Sequence, residues 1–243
     1  MSVAVAKKVA ILQSNYIPWK GYFDIIGSVD EFIFYDEVQY TKNDWRNRNK
    51  IKTAQGLAWL TIPVRQERLH QRINETVVFD RNWAVKHWRT LAQTYAKAAS
   101  FATYKEQFEA LYTTLSTSYL SEINFALIQM ICRLLGVQTK LSCSTDYCLP
   151  ADQDKTERLV WLVQAAGGQE YLSGPAARNY LDEPQFTAAG IALSWMDYTG
   201  YPEYRQLHSP PFAHGVSVVD LLFNEGSHAP AFLKANPNLR KDA

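Results

Sequence analysis

Cysteine is scarce in this chain: Cys132, Cys143 and Cys148 are the three among 243 residues. An odd number without paired spacing excludes a disulfide framework. Cys143 and Cys148 lie five apart and lack the matching His or Cys pair that a zinc site needs. His208, His214 and His228 are spaced by six and by fourteen, which fits no metal pattern either, so no metal is expected. Net charge is also nearly absent. The 25 Lys and Arg against 24 Asp and Glu leave +1, too weak a field to gather phosphates broadly, and no nucleic-acid partner is expected. Long apolar runs are missing as well. Nothing approaches the roughly 20 residues of a membrane-spanning helix, since the best stretch, residues 123–135, contains Asn124, Gln129 and Arg133. The short run 9–12 behind residues 1–8 cannot serve as a signal-peptide core and is followed by no small-residue cleavage site. A cytoplasmic chain without membrane insertion is the expectation. There is no G-x-G-x-x-G, no P-loop and no G-x-S-x-G, so neither a bound nucleotide cofactor nor a serine hydrolase has a motif behind it.

Aromatic residues, in contrast, are abundant: 7 Trp, 14 Tyr and 11 Phe. That much burial potential excludes a disordered chain, and it leaves open whether some rings line a site for a flat or sugar-like ligand. Val9-Ala10-Ile11-Leu12 and Glu31-Phe32-Ile33-Phe34-Tyr35 read as buried parallel strands. A short helix over 19–26 separates them. Residues 59–64 and 76–79 are further strand candidates, with Pro63 stopping the first. Trp83, His87, Leu91 and Tyr95 recur every four residues and predict a helix over 83–95. Helices over 104–115 and 118–135 follow, and Gly136 supplies a C-cap for the last. Strand and helix then alternate through strands 137–144, 170–173 and 191–196, a helix over 155–166 and a tail helix over 216–223. This alternation predicts one α/β domain with a mostly parallel, doubly wound (Rossmann-like) sheet and a helical subdomain at about 80–136.

In such sheets ligands bind beyond the carboxyl ends of the strands, so the polar residues there are the candidates. The first strand is followed by Gln13-Ser14-Asn15-Tyr16-Ile17-Pro18-Trp19-Lys20-Gly21. The start of the helix behind this turn is a candidate anion site. No His-x-x-His or His-x-Gly-His loop is present there, which counts against adenylyl transfer. The second strand leads into a dense polar segment, 36–52. Within it Arg46, Arg48, Lys50 and Lys52 are spaced by two and would share one face of an extended chain. Beside Tyr40 and Trp45 they suit a phosphorylated, stackable ligand. A solvated loop would have the same composition. Ser173-Gly174, at another strand end, offers backbone N–H groups to an oxyanion or phosphate, although a plain turn reads the same way. His87 fits a general base, or equally a packing histidine.

These residues, in order, resemble the WbqC-like proteins of bacterial polysaccharide gene clusters. The likeness rests on Gln13, Tyr16, Pro18-Trp19 and Gly21-Tyr22-Phe23, then on Asp36-Glu37-Val38-Gln39-Tyr40 and Arg46-Asn47-Arg48-Asn49-Lys50-Ile51-Lys52. It continues through Trp59-Leu60-Thr61-Ile62-Pro63-Val64, Trp83 with Lys86-His87, Tyr171-Leu172-Ser173-Gly174, Tyr201-Pro202 with Gln206, and Ser217-Val218-Val219-Asp220. The resemblance implies O-antigen or other surface-glycan biosynthesis. The expected activity is a transferase that forms an amide, moving an acyl or aminoacyl group onto the amine of a nucleotide-linked amino sugar. The donor would be a thioester on coenzyme A or on an acyl or peptidyl carrier protein, with no tightly bound cofactor. In that scheme His87 is the base, and Asp36 an alternative base or orienting partner. Arg46, Arg48 and Lys52 hold the pyrophosphate, and Tyr16, Trp19 and Tyr40 stack on base or sugar. Gln13, Gln39 and Asn47 bond the polar substrate, and Ser173-Gly174 faces the oxyanion. The alternatives are an ATP-dependent ligase or nucleotidyltransferase, and a non-catalytic binding subunit of a glycan assembly complex, which would have no pocket.

Overall fold

The structure, a computed structural model, describes residues 6–235, so positions 1–5 of the N-terminal segment lie outside the described residues. The chain begins with β1 (Lys8–Leu12), α1 (Lys20–Gly27) and β2 (Glu31–Phe34). Two short ribbons come next, β3 (Arg48–Thr53) with β4 (Gly56–Thr61), and β5 (Val64–Arg65) with β6 (Val77–Val78). Three helices follow: α2 (Trp83–Tyr95), α3 (Phe101–Thr114) and α4 (Leu120–Leu134). Then come β7 (Lys140–Cys143), α5 (Lys155–Ala165), β8 (Glu170–Ser173), α6 (Glu183–Ala188), β9 (Ala192–Trp195) and α7 (Val218–Glu225).

The central sheet runs β7-β2-β1-β8-β9 and every pairing in it is parallel. Side chains on a strand alternate between its two faces, and both faces of this sheet are covered. Ala10, Phe32 and Phe34 join α1, α2, α3, α4 and α7 in the larger core. Val9, Ile11, Ile33 and Tyr35 join α5 and α6 in the smaller one. Helices on both faces explain why β1 and β2 are continuous apolar runs rather than half-polar ones. The fold is therefore the doubly wound, Rossmann-like α/β arrangement. On α4, Leu120, Ile123, Leu127, Ile128 and Ile131 are wholly buried, each contributing about 1.5–3 kcal/mol of transfer free energy. The three helices between residues 80 and 136 bury their apolar faces in the same cluster as the sheet.

The two strands expected over 59–64 and 76–79 are not in the parallel sheet. Proline has no N–H for a ladder. The strand accordingly stops at Thr61, before Pro63, and β4 pairs antiparallel with β3. Val64 and Arg65 pair instead with Val78 and Val77. Among the described residues no helix is long and apolar enough to cross a membrane, and no group of three His, Cys, Asp or Glu is placed to hold a metal ion.

Candidate functional site

From β1 the chain winds outward through β2 to β7, then crosses to β8 on the other side of β1. Connections that diverge in this way leave a crevice at the carboxyl ends of the two middle strands. Between β1 and β8 that crevice is a cleft of about 840 Å³, a size typical of small-molecule sites. Its floor is Ile11, Leu12 and Tyr171. The segment leaving β2 supplies one wall, with Tyr35, Glu37 and Gln39, joined by His70 and Arg72. The start of α5 supplies the other through Lys155 and Arg158, and Tyr180 stands 63% exposed at the rim.

Local chemistry holds these walls in place. Asp154 caps α5, its carboxylate accepting from the backbone N–H of Thr156 and Glu157 at 2.7 and 2.8 Å. Arg158 donates to the carbonyls of Gln153 and Ala151, both at 3.0 Å, which leaves its remaining N–H groups for a ligand. Gln39 and Arg72 face each other across an antiparallel bridge, and Gln39 Nε2 donates to the Leu69 carbonyl at 2.7 Å. Glu37 Oε2 and Gln153 Oε1 line the cleft buried and, among the described residues, without a hydrogen-bond partner. A buried acceptor in that state costs roughly 1–3 kcal/mol, which a donor on a bound ligand would relieve.

Gln13, Gln39, Ser173 and Gly174, expected at the site, do line the cleft. Asp36 and Arg46 gather at the same sheet edge. Arg46 Nη1 donates to the carbonyls of Gln13 and Ser14 at 3.4 Å and to Asn15 Oδ1. Asp36 Oδ1 accepts from the Ser14 N–H at 2.8 Å. Burial raises the Asp36 pKa, opposed by its bonds to Ser14 and by the Arg46 charge. Together they pin the turn after β1. Farther along that turn Ile17 has φ of 33°, a strained value for a β-branched residue. Asn49 Nδ2 steadies it by donating to the carbonyls of Tyr16 and Ile17 at 3.1 and 3.0 Å.

Other expected residues lie elsewhere. His87 is buried, with Nδ1 2.8 Å from the Tyr16 hydroxyl, which is itself 2.6 Å from the Tyr112 hydroxyl. Burial pushes the His87 pKa down to about 4, against a raising backbone hydrogen bond at Thr61. The ring is a neutral core group, and neither it nor the wholly buried Tyr16 lines the cleft. Tyr16→Phe is expected to lose about 1–2 kcal/mol by stranding His87 and Tyr112, measurable by urea unfolding. Trp19 packs edge-on against Tyr198 and Tyr201, at centroid distances of 5.2 and 5.7 Å. A Cβ on Gly21 would sit 2.4 Å from the Trp19 ring. That ring therefore crowds the start of α1, where an anion was expected. Tyr40 is buried, and Asn47 Nδ2 donates to the Ile62 carbonyl at 2.8 Å.

The basic segment does not converge on one ligand. Arg46 occupies a turn, whereas β3 begins at Arg48. Arg48 and Lys50 instead stack over Trp59 at 4.2 and 4.9 Å. Lys52 is buried and donates to the Pro211 carbonyl. The cleft's basic groups, Arg72, Lys155 and Arg158, come from segments far apart in sequence, as do His70 and Tyr180. Position just after a parallel strand or at a helix start was their one available signal, and Lys155 and Arg158 satisfy it.

The comparisons with known proteins agree with the resemblance. The WbqC-like protein family matches residues 13–231. The uncharacterized protein Rv1507c of Mycobacterium tuberculosis (strain ATCC 25618 / H37Rv) is 52% identical over 229 residues, covering 94% of this chain and 98% of that one. No solved structure matches. With nearly its whole length matched, the chain belongs to the WbqC-like protein family.

Proposed function

We propose that the cleft between β1 and β8 binds a nucleotide-linked amino sugar, and that the protein forms an amide on the sugar's amine from an acyl or aminoacyl thioester. One observation supports this above the rest. The cleft joins three basic side chains, Arg72, Lys155 and Arg158, to an unpartnered acceptor, Glu37 Oε2, and a rim tyrosine, Tyr180. The basic groups suit a pyrophosphate. An acidic residue just past the second strand of a doubly wound sheet suits ribose hydroxyls, and Glu37 occupies that position. Tyr180 suits the base by stacking.

In the reaction the sugar amine attacks the thioester carbonyl carbon. A C–N bond forms, the C–S bond breaks and the thiol leaves. The amine surrenders its proton to a base as the tetrahedral oxyanion forms and collapses. His70 lines the cleft and takes the base role that the family resemblance assigns to His87. The backbone at Ser173-Gly174 faces the same space. Coenzyme A or a carrier protein supplies the thioester.

Calorimetry with a panel of nucleoside diphosphate amino sugars tests the reading. At least one member should bind, and Arg158→Ala and Tyr180→Ala should each weaken it by about tenfold, the worth of one charge-assisted bond or one stacked ring. Mass spectrometry after addition of thioesters should then show the amide. If no member of the panel binds the unmodified protein, the proposal fails.

A further inference from the structure

We infer that a second cavity, on the opposite side of the β2 strand end, is a binding site for the ammonium group of a small organic cation. Alternation along the chain places Tyr35 and Glu37 toward the cleft, whereas Phe34 and Asp36 line a space of about 400 Å³ at the carboxyl ends of β2 and β7. The two cavities share no lining residue. Their chemistry is also opposite. The cleft carries Arg72, Lys155 and Arg158; among the described residues no Lys, Arg or His lines the second cavity.

Its two charged groups are both acceptors, and Ser121, Ser144 and Thr145 add hydroxyls that can also accept. Asp36, only 6% exposed, and Glu122 contribute carboxylates. Asn74 Oδ1 lies there buried and, among the described residues, without a hydrogen-bond partner. Arg46 does not neutralise Asp36 directly. It pairs with Asp44 at 3.6 Å and points Nη1 at the turn after β1, acting on Asp36 at longer range. A primary ammonium has three donors to offer three such acceptors. Phe34 and Phe125, in edge-to-face contact at 5.2 Å, supply its aromatic side, and aromatic rings suit an organic cation. A hydrated divalent metal is the poorer match, because among the described residues no three His, Cys, Asp or Glu are placed to hold one.

Cys143 lies in the same lining and provides a reporter. Burial and the neighbouring Asp146 and Asp36 charges push its thiol pKa up to about 11. Cys132 is buried and Cys148 exposed, so a Cys148→Ser protein isolates the Cys143 signal. Three methanethiosulfonates would be compared at pH 8.5: aminoethyl (cationic), methyl (neutral) and sulfonatoethyl (anionic). Rates are read by peptide mass spectrometry and normalised to a free thiol. The aminoethyl reagent should modify Cys143 at least about tenfold faster than the methyl reagent, and the sulfonatoethyl reagent more slowly still. Ethylammonium, which stays protonated at pH 8.5, should protect the thiol and neutral acetamide should not.

Asp36→Asn keeps an acceptor for Ser14 and should erase most of the preference. Glu122→Gln, at an exposed position, should lower it by about threefold and guards against a folding defect in the first variant. Equal normalised rates, a preference unchanged in both variants, or protection by magnesium but not by ethylammonium would each overturn the assignment. Nucleotide-sugar binding in the cleft is read separately, so failure of one proposal leaves the other standing.

Discussion

Acidification from pH 7 to pH 4 should remove about 3 kcal/mol of stability through His87 alone. The ring is buried against Trp83 and bonded to Tyr16, and its pKa is lowered to about 4. Unfolded, it would titrate near 6.5. A depressed folded pKa means the unfolded chain takes the proton first. The contribution is therefore fully present above pH 6.5, declines as pH falls, and is gone near pH 4. The gap between about 4 folded and about 6.5 unfolded, at 1.36 kcal/mol per pH decade, gives the magnitude. Other groups act over overlapping ranges. Burial raises the carboxyls of Asp36 and Asp220, which works in the opposite sense. At Glu31 burial pushes upward, but hydrogen bonds from Lys7, Ser142, Tyr147 and Lys140 outweigh it and hold the carboxyl at about 2. Its stabilisation fades between about pH 4.5 and 2. The measurement is thus a difference: urea unfolding of the unmodified protein and of His87→Gln at pH 7, 5.5 and 4. The gap between the two should shrink or reverse by about 3 kcal/mol toward pH 4. Parallel profiles would show that His87 is not held neutral.

Asp220→Ala should destabilise the protein by about 3–5 kcal/mol, the range for breaking a buried, fully bonded charge. Asp220 lies on α7 and is wholly buried. Its Oδ2 accepts from Tyr95 at 2.8 Å, and its Oδ1 accepts from Tyr204 at 2.5 Å and from Gln206 at 2.8 Å. Lys52 adds an attractive charge nearby. Alanine strands all three donors at once, in the region where α7 meets α2 and β3. Asp220→Asn retains acceptor capacity and should lose only about 1–2 kcal/mol. Denaturant midpoints of both variants check this, and an Asp220→Ala protein within 1 kcal/mol of the parent would refute it.

The same residue shows what a motif can conceal. Ser217-Val218-Val219-Asp220, like Tyr16 and Lys52, marks the family resemblance, yet in the structure these polar groups bind one another or the backbone inside the core. Buried polar groups must be hydrogen-bonded, so tying the core together explains their presence without a ligand. Tyr16 and Trp19 were plausible stacking groups by composition and by place after β1. Whether a ring faces core or solvent is set by what packs over it, which no local pattern records.

Hydrophobic periodicity alone determined most of this molecule: the α2 and β8 spans, the apolar runs of β1 and β2, and the α/β class. Those features depend on neighbours a few residues apart, and a chain of 243 residues carries that information directly. The strand-end rule likewise pointed to Gln13, Gln39 and Ser173. Only the tertiary structure decided the rest. It moved residues 59–64 out of the sheet, withdrew His87 into the core and dispersed the Arg46-to-Lys52 run. It assembled instead a cleft from Glu37, Arg72, Arg158 and Tyr180. The physical reason is that a site is a convergence of side chains across strand order and crossover connections, and its members share no spacing along the chain.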